Sequence, residues 1–239
     1  MRKLGLGLGL AGFLMVAGVT EAQIVKASAG AEALFARQAG TLCQNGLADI
    51  AVQEDLGLAR NATFYEMSAN VGIRGIAVRG YHLFNRSLDG DGVLRPGQYP
   101  AKKSDKEQKI IPVNSNFALS ASRLEVGVPV IGPTTLVEPF WVIGAIRERL
   151  QVQGPGINLN IENNPTCSGA GVFATQAIGR GTAIKAKYLK TGIEQIVELK
   201  YVIAGPQYYW RLGYSWRQLQ AGSVQCNMAG PVVEIAMMF

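Results

Sequence analysis

Apolar and polar side chains alternate along much of this chain, most regularly from Gly192 to Phe239. Ile193, Val197, Leu199, Tyr201 and Ile203 share one parity, against Glu194, Glu198 and Lys200. Tyr208, Trp210, Leu212, Tyr214 and Trp216 share another, against Arg211, Gly213, Ser215 and Arg217. Val233, Ile235, Met237 and Phe239 close the chain, against Glu234. A period of two belongs to strands that turn one face to something apolar.

The same pattern recurs upstream. Tyr65, Met67, Ala69, Val71 and Ile73 fall on one face of a strand over residues 63–73. Gly75 breaks the register and residues 76–84 continue as a second strand or a bulged extension. Residues 116–131 alternate with a parity switch near Arg123. Residues 136–150 are strongly apolar, and Pro139 and Gly144 predict a broken strand there. Strands are then expected at 157–161, 171–178, 182–189, 193–203, 208–217 and 231–239. Their joints carry turn chemistry: Gly154-Pro155-Gly156, Asn163-Asn164-Pro165, Gly179-Arg180-Gly181, Lys190-Thr191-Gly192 and Ala204-Gly205-Pro206, with a longer joint at 218–230.

Three stretches depart from alternation. Gly30–Gln38 reads as a short N-terminal helix ended by Gly40. Residues 41–53 read as a hairpin or loose helix. Residues 85–109 hold Asp89-Gly90-Asp91-Gly92, Arg95-Pro96-Gly97 and the cluster Lys102, Lys103, Lys106 and Lys109, and read as an exposed polar loop. Short strands with tight turns predict an all-β, mainly antiparallel fold, a β-sandwich or barrel-like single domain carrying that N-terminal helix.

The first residues change where the protein is expected to be. Met1-Arg2-Lys3 is a short positive segment, and Leu4–Val19 is an uncharged apolar run too short for the usual membrane helix. Residues 1–22 therefore read as a signal peptide, with cleavage before Gln23 or, alternatively, before Gly30. Residues 23–239 are the exported, β-rich domain, in the periplasm, at the cell surface or outside a bacterial-looking cell. With 48% hydrophobic and 17% charged residues, and 29 glycines, the chain favours strands and turns. The formal charge of +6 is scattered, so nucleic acid is not an expected partner.

Candidate chemistry is sparse. His82 is the one histidine, which excludes histidine-rich metal sites and obliges any Ser-His or Cys-His mechanism to use that residue. Asp89–Gly92 has the opening of a calcium loop without its closing glutamate, so no metal is expected. Glu125, Glu138, Glu148, Glu162, Glu194 and Glu198, with Lys185, Lys187, Lys200, Arg211 and Arg217, read as the polar face of a sheet paired across strands. Of Cys43, Cys167 and Cys226, an exported chain is expected to join Cys167 to Cys226. No cofactor is implied.

The reading these features support first is a non-enzymatic structural or assembly protein of the bacterial envelope, a fibre or pilus-type subunit or part of an envelope assembly. It would associate with itself or with other envelope proteins, through strand donation by residues 23–40 or by Val233, Ile235, Met237 and Phe239. The alternative is an outer-membrane β-barrel. Phe239, with Met237, Ile235 and Val233 alternating back from it, resembles the terminal recognition strand of bacterial outer-membrane barrels. The aromatics flanking Leu212 would then form interfacial girdles. A secreted enzyme is the third reading.

Overall fold

The computed structural model describes residues 26–43, 47–73, 75–99, 109–132 and 134–239. The expected signal peptide and Lys102, Lys103 and Lys106 lie outside the described residues. Fourteen strands follow in order: β1 (Lys26–Leu42), β2 (Ile50–Ala51), β3 (Asn61–Ile73), β4 (Ile76–Asn85), β5 (Leu88–Leu94), β6 (Ile111–Gly127), β7 (Val130–Ile131), β8 (Thr135–Gly154), β9 (Ile157–Asn163), β10 (Thr166–Gly179), β11 (Thr182–Thr191), β12 (Glu194–Ala204), β13 (Tyr208–Ala221) and β14 (Val224–Met238).

Ten of them, β1, β3, β4, β6, β8, β10, β11, β12, β13 and β14, pair antiparallel in that order. β14 pairs back onto β1, from Ser28 with Met238 to Leu42 with Val224, and the sheet closes. The fold is therefore a barrel and not a sandwich. Residues 30–38 are not a helix but the middle of β1. Alanine favours helices in isolation, but Ala27, Ala29, Ala31 and Ala33 also alternate with Ser28, Gly30 and Glu32. Pairing on both flanks decides the outcome. The expected break in 136–150 is likewise absent. β8 runs through Pro139, which lies just past the last β6 pair, Gly127 with Phe140, and whose carbonyl accepts the Val128 N–H at 3.1 Å. Nor is 85–109 all loop, since the Asp-Gly-Asp-Gly run pairs with β6 as β5.

The strands tilt steeply. A line of registered partners from Asn61 passes through Arg37, Ala229, Trp216, Val197, Tyr188, Val172 and Pro139. It ends beside Gly127 and Ala77, next to the β3–β4 turn. One circuit thus descends from one mouth of the barrel to the other.

The two mouths differ. At the turn end lie the tight connections β3–β4, β10–β11 and β12–β13 and the paired ends of β1 and β14. At the loop end β6 and β8 run on past the barrel, flanked by β5 and β9, and the segment carrying β2 folds over the opening. A hydrophobic core fills that mouth, with Leu42, Ile50, Leu56, Leu58, Phe64, Leu94, Phe117, Leu150 and Met228 all buried.

Candidate functional site

Closure assigns the two faces of every alternating strand. On β12 to β14 the large apolar parity points out: Leu199 is 57% exposed, Tyr214 54% and Trp210 48%. Its polar counterpart points into the lumen, where Glu198, Lys200, Arg217 and Glu234 are buried. The alternation read from the sequence is correct, but its apolar face is the outside of the barrel.

Inside, most of the charges form one connected system. Arg217 on β13 donates to Glu66 Oε2 on β3 at 2.7 Å, to Glu198 Oε1 on β12 at 2.7 Å and to Glu32 Oε1 on β1 at 3.1 Å. Arg123 on β6 donates to the same Glu66 oxygen at 2.6 Å and to Glu194 Oε1 on β12 at 2.6 Å. Lys200 Nζ bonds Glu32 and lies 3.1 Å from Glu198 and 3.4 Å from Glu234, which also accepts from Arg211 at 2.7 Å. Beside this network, Lys187 bonds Glu125 at 2.6 Å and Arg79 makes a two-pronged pair with Glu138. Lys185 lies 4.2 Å over the Phe173 ring. Acids and bases balance one for one, so the lumen is close to neutral, with all its carboxylates and most of its cations buried. The space left among Glu32, Glu66, Lys200 and their neighbours is about 20 Å³, room for about one water.

Sequence reasoning read several of these charges as the polar face of a sheet, paired across strands. It passed over Glu32, Glu66, Arg79 and Arg123. The available signal was that Glu32 and Glu66 interrupt otherwise uncharged strand segments at the lumenal parity.

Where the outer surface becomes charged, the barrel wall ends. Arg147 and Arg149 mark that level on β8, Arg37 on β1 and Lys190 on β11, all exposed. Just beyond it Glu148 is buried, with Asn163 Nδ2 at 3.4 Å and no cation bonded to it among the described residues. Burial pushes its carboxyl up to about 7, against the smaller opposing effect of the Asn163 hydrogen bond. At the same level Arg147 donates to exposed Glu162 at 2.6 Å, and that hydrogen bond holds the Glu162 carboxyl below its usual range.

The remaining sequence candidates disperse. Cys43, Cys167 and Cys226 are free thiols. Cys167 is on β10 and Cys226 on β14, with three strands between them, and no bond joins them. Val233, Ile235 and Met237 face outward on β14, which already has a partner on each side. His82 faces outward on β4, with Nδ1 2.9 Å from Ser122 Oγ and its ring stacked on Phe84 at 5.7 Å. Asp89 accepts from Asn116 Nδ2 at 2.6 Å on the outer face of β5.

No protein-family model and no curated protein sequence matches the chain. Its likeness to solved structures is in fold. The outer membrane protease OmpT of Escherichia coli superposes with a TM-score of 0.61 at 7% identity, over 92% of this chain and 98% of that one. Neisserial surface protein A is matched at a TM-score of 0.41 and 10% identity, over 92% of this chain and 100% of that one. Two sequence expectations are corrected here. A fibre or pilus subunit donates or accepts a strand at an open edge, and this barrel has none among its ten wall strands. A non-enzymatic role does not follow from the fold either, because OmpT is a protease. What the chain shares with OmpT is the fold, a closed antiparallel β-barrel.

Proposed function

We propose that the protein is an integral outer-membrane β-barrel whose lumen is sealed by ion pairs and which holds a structured cap outside the cell. The observation that carries this is the inversion of polarity: exposed aromatic and aliphatic side chains outside, buried balanced charges inside. In water such an outer wall would be a very large apolar patch, whereas in a bilayer it is the required surface. From Tyr208 to Trp216 the apolar parity of β13 spans about 27 Å along the strand, or about 20 Å along the axis at a tilt near 40°. Aromatic residues bound it on both sides. Phe35, Tyr65, Phe84 and Trp216 stand toward the loop end, and Tyr201, Tyr208, Trp210 and Phe239 toward the turn end. Short turns face the periplasm in such barrels and long connections face outward, which puts the cap of β2, β5 and β9 at the cell surface. Phe239 and the alternating residues before it fit the role of a terminal recognition strand for insertion.

Membrane fractionation with gel electrophoresis tests the reading. A species that needs detergent and shifts in mobility on boiling supports it; a protein recovered folded from the soluble periplasmic fraction overturns it.

A further inference from the structure

The outer wall is not uniform. On β11 to β14 it is filled by Tyr188, Leu199, Tyr214, Trp210 and Ile235. On β1 to β10 it carries a groove of about 1150 Å³ whose floor is made by small outward-facing residues, Ala29, Ala69 and Gly80. Registered pairs run along it, from Ala29 to Ala69 to Gly80 to Leu124 to Ile143 to Ser168. Five strand spacings of about 4.8 Å make it about 24 Å long.

Because the rungs climb around the barrel, the groove is oblique to the membrane. Its β1 end lies in the apolar band, and its β10 end rises past the aromatic belt of Tyr65 and Phe84. The lining follows the same gradient, from Ala29, Ala69 and Gly80 to His82, Ser122 and Ser168. Positive charge gathers at the polar end. Arg147 is the next outward residue after Ala145 on β8 and Arg149 the one after it, both exposed. Glu162 meets Arg147 there and pairs in register with Arg149, one acid against two arginines.

Resting on the membrane reading above, we infer that this groove seats one anionic acyl lipid of the outer leaflet. Its chain lies over Ala29, Ala69 and Gly80, where missing side-chain bulk lets it sink below the wall. Its headgroup phosphate lies at the His82–Ser122 pair, within reach of Arg147. Apolar floor, hydroxyl donors and cationic rim come in the order in which such a lipid presents chain, linkage and phosphate. A second barrel would meet this cationic rim with its own, so charge favours the lipid over self-association.

The test uses the full chain, purified in mild detergent and offered phosphatidylglycerol or phosphatidylcholine, with retained lipid read by native mass spectrometry. One phosphatidylglycerol per chain is expected, retained in preference to phosphatidylcholine. Ala69→Phe fills the floor and is expected to abolish retention, whereas Leu199→Phe on the opposite wall leaves it unchanged. His82→Asn with Arg147→Gln keeps the floor and is expected to remove the preference between the two lipids; this pair of changes carries the test if Ala69→Phe fails to fold. Equal retention of both lipids by the unaltered chain, retention that survives Ala69→Phe, or a mass of two chains in place of chain plus lipid overturns the inference. A heat-modifiable barrel that retains no lipid overturns the groove alone; a protein that needs no detergent overturns the membrane reading and the groove with it.

Discussion

Arg123 of β6 reaches Glu194 of β12 across the lumen, with Nη1 2.6 Å from Oε1 and both side chains buried. The two strands lie on opposite walls, so this ion pair, with the Arg123 contact to Glu66, ties the barrel shut through its interior as well as around its rim. Arg123→Met would leave Glu194 and Glu66 short of a partner out of water. Stripping one member from a buried pair costs about 3–5 kcal/mol, whereas replacing both members by apolar residues costs much less. Urea unfolding of the reconstituted protein should show that loss for Arg123→Met and a partial recovery for Arg123→Met with Glu194→Met. Additive losses in the double variant would mean that the two residues act independently.

Two separate layers obstruct the lumen. The charged network fills the middle, and the core of Leu42, Ile50, Leu56 and Leu58 fills the loop end. The protein should therefore give no stepwise conductance in planar bilayers, and Arg217→Ser should stay silent too, because the apolar layer above it is untouched. Discrete single-channel openings in the unaltered protein would contradict this arrangement.

The outward face of β13 gives a depth-dependent prediction. Leu212 lies midway between Tyr208 and Trp216, whereas Gln218 lies beyond the aromatic belt. Arginine on the lipid face costs about 2–4 kcal/mol at the midplane and about 0–1 near the interface. Folding into lipid vesicles should be impaired by Leu212→Arg and barely altered by Gln218→Arg. Equal effects at the two sites would place the band elsewhere on the strand.

Much of the architecture was legible in the sequence, and the reason the rest was not is instructive. Tyr208 to Trp216 reads as a strand in any environment, because the period of two is a property of the backbone. Which face is buried is a property of the solvent. The partners of these residues, Arg211 and Arg217, would be the solvated face of a sandwich in water, and become the lumenal face once the wall meets lipid. Glu66 shows the same ambiguity, since opposite Met67 on a single strand it looks like an ordinary surface acid. Its partners Arg123 and Arg217 are 57 and 151 residues away, so only closure reveals the network. At β1 the failure was of another kind, with the helix preference of alanine masking an alternation that pairing on both flanks enforces.

Glu148 makes stability depend on pH near neutrality. Its carboxyl titrates at about 7 when folded and near 4.5 when unfolded, so between those values the folded state holds a proton that the unfolded state has lost. Stability should rise as pH falls from 8 through 7 toward 5, by about 1–3 kcal/mol at most. Glu148→Gln, which keeps the shape and removes the ionisation, should raise the unfolding temperature at pH 8 and flatten the pH profile over this range. A variant profile as steep as that of the unaltered protein would assign the dependence to another group.

The cap can be loosened without touching the barrel, and Gly57 is the place to do it. The segment carrying β2 crosses the inner face of β5, where Leu58 bridges to Gly90 and the Val93 N–H donates to the Asp55 carbonyl at 2.7 Å. Ser115 Oγ donates to the Leu56 carbonyl at 2.6 Å, and Asp55 accepts from Ala51 N–H and from Gln98. Gly57 has φ +67, and a Cβ there would lie 1.9 Å from the Asp91 carbonyl oxygen. Alanine at this position is opposed both by the left-handed backbone and by backbone atoms that cannot move aside without separating β5 from β6. Gly57→Ala should therefore expose residues 47–60 to protease added outside intact cells, while the heat-dependent mobility shift of the barrel persists. If cleavage instead spreads into β3 and β4, or the mobility shift is lost, cap and barrel fold as one cooperative unit and the loop end is not an independent layer.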